Sequence, residues 1–134
     1  MKRIALMLAA VAAMLALVVG CGQEPANSAS DTYRQVSAEE AIALMESESG
    51  YVILDVRTAQ EFASGHIPDA INVPVEEIGS VPPAELPDPD QLILVYCRSG
   101  NRSKQAAEKL VQMGYTNIVE FGGINTWPGE VVTD

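Results

Sequence analysis

Cysteine and positive charge are both scarce in this 134-residue chain. The only cysteines are Cys21 and Cys97, too few for a disulfide framework and without the C-x-x-C spacing of a zinc site. Lysine and arginine number 8 against 18 acidic residues, giving a formal net charge of -10. That balance argues against nucleic acid as a partner and against a polybasic membrane patch. Internal repeats are absent. The longest apolar run, Ile4 to Val19, has 16 residues, short of the roughly 20 needed to cross a bilayer as a helix.

That run follows Lys2 and Arg3 and ends in small residues, the pattern of a secretory signal, assigned here to residues 1–20. Val18-Val19-Gly20-Cys21 resembles the lipobox of bacterial lipoproteins. The resemblance implies cleavage before Cys21, a diacylglycerol thioether on its sulfur and acylation of the new amino terminus. Several acyl chains on one residue suffice for stable anchoring. The domain is thus expected outside the cytoplasm, lipid-anchored on the periplasmic side or at the cell surface. An uncleaved anchor or an ordinary signal peptide is the alternative. Loss of Lys2 and Arg3 takes the net charge from -10 to -12. Residues 22–31, GQEPANSASD, are small, polar and proline-interrupted, as a flexible tether is. Residues 21–34 are therefore assigned to the lipidated cysteine and tether. Residues 35–134 form one folded domain, about 100 residues with a modest core.

Strand and helix signals alternate through that domain. Ser37-Ala38-Glu39-Glu40 and Thr58-Ala59-Gln60-Glu61 are capping boxes, opening helices that run to about Glu48 and to near Gly65. YVILDV (51–56) and QLILVY (91–96) are apolar enough for strands buried on both faces. INV (71–73) and NIVEF (117–121) are further strand candidates, and VPPAELPDPD (81–90), with its four prolines, is a surface connection. Ser103 to Met113 carries a helical apolar stripe ended by Gly114. The pattern predicts an α/β fold, a mainly parallel central sheet flanked by helices on both faces. Ligands of such sheets gather beyond the carboxyl ends of the strands. Cys97 stands at that end of its strand, and Asp55 and Arg57 at the same end of theirs.

The loop CRSGNRS (97–103) carries the chemistry. Gly100 permits a positive backbone dihedral, and the loop can curl so that successive amides face inward. The helix that follows adds its positive end, and Arg98 and Arg102 add forked cationic donors suited to oxyanions. Every nearby field then favours the thiolate of Cys97, and the thiolate is the nucleophile. Asp55 and Arg57 are supporting residues that suit an ion pair holding the loop. His66, the single histidine, follows a helix end and precedes Pro68, so turn hydrogen bonding suits it better than a role as base.

Three stretches in order, LDVRTAQEFASGHIPDAINVP (54–74), VYCRSGNRS (95–103) and GGINTW (122–127), resemble a single rhodanese domain from about Gln35 to Trp127. The resemblance implies a rhodanese-like fold and a sulfurtransferase that needs no cofactor or metal. A small sulfur-anion donor such as thiosulfate would leave its outer sulfur on Cys97 as a persulfide. The amides of Arg98, Ser99, Gly100, Asn101 and Arg102 would cradle it, Ser103 would complete the substrate-binding set, and Arg98 or Arg102 would steer the donor. With Cys97 alone, the sulfur must pass to an external acceptor: cyanide, a thiol or a partner protein. Relatives with the same fold act as phosphatases or arsenate reductases, with loops that resemble C-x5-R. The C-x4-R of this chain is one residue shorter and suits one sulfur atom better than a phosphate. A low-turnover persulfide carrier or sulfur-binding module is the non-enzymatic alternative. One departure is Asp69, where the family usually carries glycine.

Overall fold

A computed structural model describes residues 32–134. The expected signal, Cys21 and nearly all of the tether lie outside the described residues. Five strands, β1 (Arg34–Gln35), β2 (Val52–Asp55), β3 (Ile71–Asn72), β4 (Ile93–Cys97) and β5 (Ile118–Gly123), form one sheet in the order β1-β5-β4-β2-β3. Every pairing is parallel. Helices α1 (Ala38–Ser47), α2 (Ala59–Ala63) and α3 (Asn101–Gln112) supply the crossovers, with 3-10 turns at Val75–Glu77 and Ile124–Thr126. Successive side chains of a strand point to opposite faces. On β4, Ile93, Val95 and Cys97 enter one core layer with Ala106, Ala107 and Leu110 of α3. Leu94 and Tyr96 enter the other, with Ala41 of α1 and Phe62 of α2. Helices on both faces explain why this strand reads as an unbroken apolar run. The expected α/β architecture is the one observed.

Both capping boxes form as their spacing demands: Ser37 with Glu40, and Thr58 with Glu61, exchange side-chain and backbone hydrogen bonds at the starts of α1 and α2. Elsewhere the boundaries shift. β1 has no counterpart among the expected strands, and its Arg34 belongs to the sheet rather than to the tether. Two residues are too short for any periodicity to show. α3 begins at Asn101, two residues before the expected Ser103. The proline-rich connection is mostly exposed, but Leu86 is not a surface residue: it is 1% exposed and plugs the α3-side core. Its carbonyl accepts a hydrogen bond from the Tyr115 hydroxyl.

Asp69 has φ of 71°. It follows Pro68 in a turn closed by the Ala70 N–H donating to the Ile67 carbonyl. A turn with proline at its second position and positive φ at its third favours glycine there. Asp69→Gly is therefore expected to stabilise the domain by about 0.5–1 kcal/mol, the left-handed penalty less glycine's extra chain entropy. Chemical denaturation checks this, and an unchanged or lower midpoint would contradict it.

Candidate active site

β4 is the middle strand of the sheet and ends at Cys97, whose side chain turns toward α3 and is buried. Gly100, with φ of 108°, reverses the chain so that its N–H donates to the Cys97 sulfur at 3.0 Å. Only Arg98, Ser99 and Gly100 lie between strand and helix, because Asn101, Arg102 and Ser103 form the first turn of α3. The loop expected over residues 97–103 is thus a three-residue turn plus a helix start. The end of β5 makes that curl possible. A side chain at Gly123 would collide with the Arg98 carbonyl and the Ser99 nitrogen, and the Asn125 N–H donates to that same carbonyl at 3.2 Å. Gly100 sits at the N-cap of α3 and supplies no side-chain cap, unlike Ser37 and Thr58. The first N–H groups of a helix have no partner within it. Those of α3 receive no side-chain cap from Gly100, and the helix's positive end begins directly after the one amide that contacts the sulfur.

The two arginines occupy different positions. Arg98 is exposed, as are Ser99 and Asn101, and it has no ion-pair partner among the described residues. Arg102 is held by Glu61 of α2 through two hydrogen bonds, at 2.8 and 3.1 Å. The hydrogen bond that Arg102 donates to Glu61 is the largest influence holding its guanidinium charged, and a charge on Cys97 acts in the same direction. The same pairing outweighs burial and holds the Glu61 carboxyl down at about 2. Sequence reading found Glu61 only as a helix cap, because nothing in one dimension shows which cation lies opposite it.

Ser103 is fully buried, its hydroxyl 3.5 Å from the Cys97 sulfur. The same hydroxyl makes a short hydrogen bond to Glu120 of β5. Glu120 was missed as a site residue, though a signal existed: it is the one charged residue inside an otherwise apolar strand. Asp55, Arg57 and His66 lie on the other side of the sheet and are not brought to the sulfur. Asp55 pairs in register with Tyr96, so its side chain faces the layer opposite that of Cys97. There it binds Arg57 through both carboxylate oxygens, and Arg57 also donates to the Gly65 carbonyl at 2.7 Å. Burial works against the Arg57 charge, but the hydrogen bond and charge of Asp55 outweigh it. His66 stacks on Phe62, donates through Nδ1 to the Phe62 carbonyl at 2.9 Å, and pairs its backbone with Val132. All three side chains brace the rim and do not reach the sulfur. No cluster of three or more metal-ligating side chains occurs among the described residues.

Residues 37–130 match the family model of the Rhodanese-like domain. The thiosulfate sulfurtransferase GlpE of Pseudomonas savastanoi pv. phaseolicola is 36% identical over 97 residues, covering 71% of this chain and 87% of that protein. The adenylyltransferase and sulfurtransferase UBA4 of Candida albicans is 34% identical over 118 residues, and the match spans 83% of this chain but only 27% of that protein's length. Among solved structures, a rhodanese-related protein from Thermoplasma volcanium superposes with a TM-score of 0.64 at 31% identity, covering 76% of this chain and all of that one. These likenesses support sulfurtransferase chemistry in general.

Because the Glu61 carboxyl is depressed from 4.5 to about 2, its stabilising contribution is present above the ordinary value and is lost as pH falls toward 2. Glu61→Gln keeps a residue able to cap α2 but ends the ion pair. It should lower stability near neutral pH by about 0.5–1 kcal/mol. Thermal melts of both proteins should converge near pH 2, and a difference that stays constant with pH would contradict the pairing.

Proposed function

This chain belongs to the rhodanese-like domain family, and from that premise we propose that it moves sulfane sulfur through a persulfide on Cys97. The Cys97 thiolate attacks the outer sulfur of a donor such as thiosulfate. The donor's S–S bond breaks, sulfite leaves with the electron pair, and Cys97 holds the new S–S bond. An external nucleophile (cyanide, a small thiol or a partner protein) then attacks the terminal sulfur, and the Cys97 thiolate leaves. The carrying observation is the Gly100 N–H aimed at the sulfur beside an uncapped helix start. Both stabilise a sulfur anion whether it is the thiolate or the persulfide.

Arg98 is the donor-steering residue in this reading, because Arg102 is committed to Glu61. Cys97 is the only cysteine among the described residues, so the persulfide has no resolving partner there. The burial of Cys97, which is 1% exposed, restricts donor and acceptor alike and so favours the second reading, a low-turnover persulfide carrier. The lipobox-like residues Val18 to Cys21 support the reading that the domain works outside the cytoplasm on a lipid anchor. Fractionation checks this: Cys21→Ser should leave a soluble, active protein, and its retention in membranes would contradict the lipid anchor.

Cys97→Ser is expected to abolish thiocyanate formation from thiosulfate and cyanide while leaving the melting curve in place. Arg98→Ala should lower kcat/KM for thiosulfate about tenfold, with the loss shrinking as salt rises. Wild-type turnover in Cys97→Ser would overturn the nucleophile assignment. Single-turnover loading without steady-state turnover in the wild type would establish the carrier.

A further inference from the structure

Glu120 is 2% exposed and has no cation partner among the described residues. Its Oε2 accepts the short hydrogen bond from the Ser103 hydroxyl and a second from the Gly122 N–H at 3.0 Å. Its Oε1 accepts from Gln35 Nε2 at 3.4 Å. Ser103 Oγ lies 3.5 Å from the Cys97 sulfur, so sulfur, hydroxyl and carboxylate form a continuous chain. A serine hydroxyl has one proton, and an ionised carboxylate only accepts. The Gly100 and Gly122 carbonyls also lie within reach of that hydroxyl, at 3.1 and 3.4 Å. An ionised Glu120 is both the nearest and the strongest acceptor, so the proton goes to Oε2 and Ser103 offers the sulfur a lone pair. The matching sulfur form is S–H.

We propose that Glu120, acting through the Ser103 hydroxyl, is a positioning residue that governs the ionisation of Cys97. With Glu120 ionised the resting sulfur is held as the thiol. When the sulfur ionises without loss of a proton to solvent, its S–H bond breaks and the proton goes to Ser103 Oγ, while the hydroxyl's original proton passes to Glu120 Oε2. Charge and atoms balance with no co-reactant, and the freed Ser103 hydroxyl then donates to the thiolate. Raising the pH instead removes the proton to solvent and leaves the thiolate facing an ionised Glu120, whose charge raises the midpoint. Gly100 and the α3 start favour the anion, and Glu120 opposes it until it takes the proton. The other charged and titratable groups facing this chain do not substitute for it. Arg98 is exposed, Arg102 is bound to Glu61 with Glu76 beyond, and Tyr33 and Glu108 bring no cation to Glu120. The consequence is a nucleophile kept in the form that resists oxidation until a reactant arrives. The proposal rests on the sulfurtransferase reading for its purpose, but not for its test.

The test is the pH profile of Cys97 alkylation by iodoacetamide, which needs no sulfur donor. Glu120→Gln preserves the shape but removes the charge and the proton site, and should move the midpoint down by about one pH unit. Ser103→Thr, which keeps the hydroxyl, should retain the wild-type profile. In a Ser103→Ala background, Glu120→Gln should lose at least half of its effect. A superimposable or upward-shifted profile for a folded Glu120→Gln protein would overturn the proposal. If that variant does not fold, 13C NMR of the wild type decides. The Glu120 carboxyl resonance should inflect at the alkylation midpoint and not do so in Cys97→Ser, and the absence of that inflection overturns the coupling. Loss of thiosulfate turnover with the coupling intact would sink only the sulfurtransferase reading.

Discussion

The backbone of Gly123 lies so close to the Arg98 carbonyl that no side chain fits between them. That contact, with the Asn125 N–H on the same carbonyl, holds the turn after β4 in its tight curl. The curl brings the Gly100 N–H onto the sulfur and starts α3 at Asn101. A looser turn would carry the Gly100 amide away and let a capping side chain into the helix start. The reactive geometry is thus set by two neighbouring strand ends, β4 and β5, rather than by the loop alone.

The charge distribution is at odds with the proposed anionic donor, since the protein is strongly acidic, with a sequence pI of about 4.4. Range settles the conflict. At physiological salt, charges more than about 8 Å apart across solvent are largely screened. A donor at the turn therefore feels mainly the Gly100 amide, the helix start and Arg98. Arg102 lends part of its charge through the pair with Glu61, and Glu120 opposes from beneath. The sulfur sits between a face that draws the anion out and a buried acid that restrains it.

Much of this was legible in one dimension. The capping boxes fixed two helix starts because each needs only four residues to act. The paired apolar runs gave β2 and β4, because burial on both faces removes any polar alternation. Cys97, Gly100 and the two arginines are legible together because they fall within six consecutive residues. The remainder depended on contacts between distant positions. β1 is two residues long and exists by pairing with β5. Leu86 is a core residue among prolines because Tyr115 and the α3 layer leave a space for it. The Glu61–Arg102 pair joins residues 41 apart, and the Ser103–Glu120 bond joins residues 17 apart. Asp55 and Arg57 share an edge with Cys97 in sequence terms, but strand alternation sends Asp55 to the opposite layer.

The central claim is that the polarised turn makes Cys97 a carrier of one additional sulfur. Mass spectrometry of the protein after incubation with thiosulfate, followed by digestion, tests it most directly. The account predicts a gain of one sulfur atom on the peptide containing Cys97, discharged when cyanide is added. An unmodified Cys97 peptide from folded protein would contradict it.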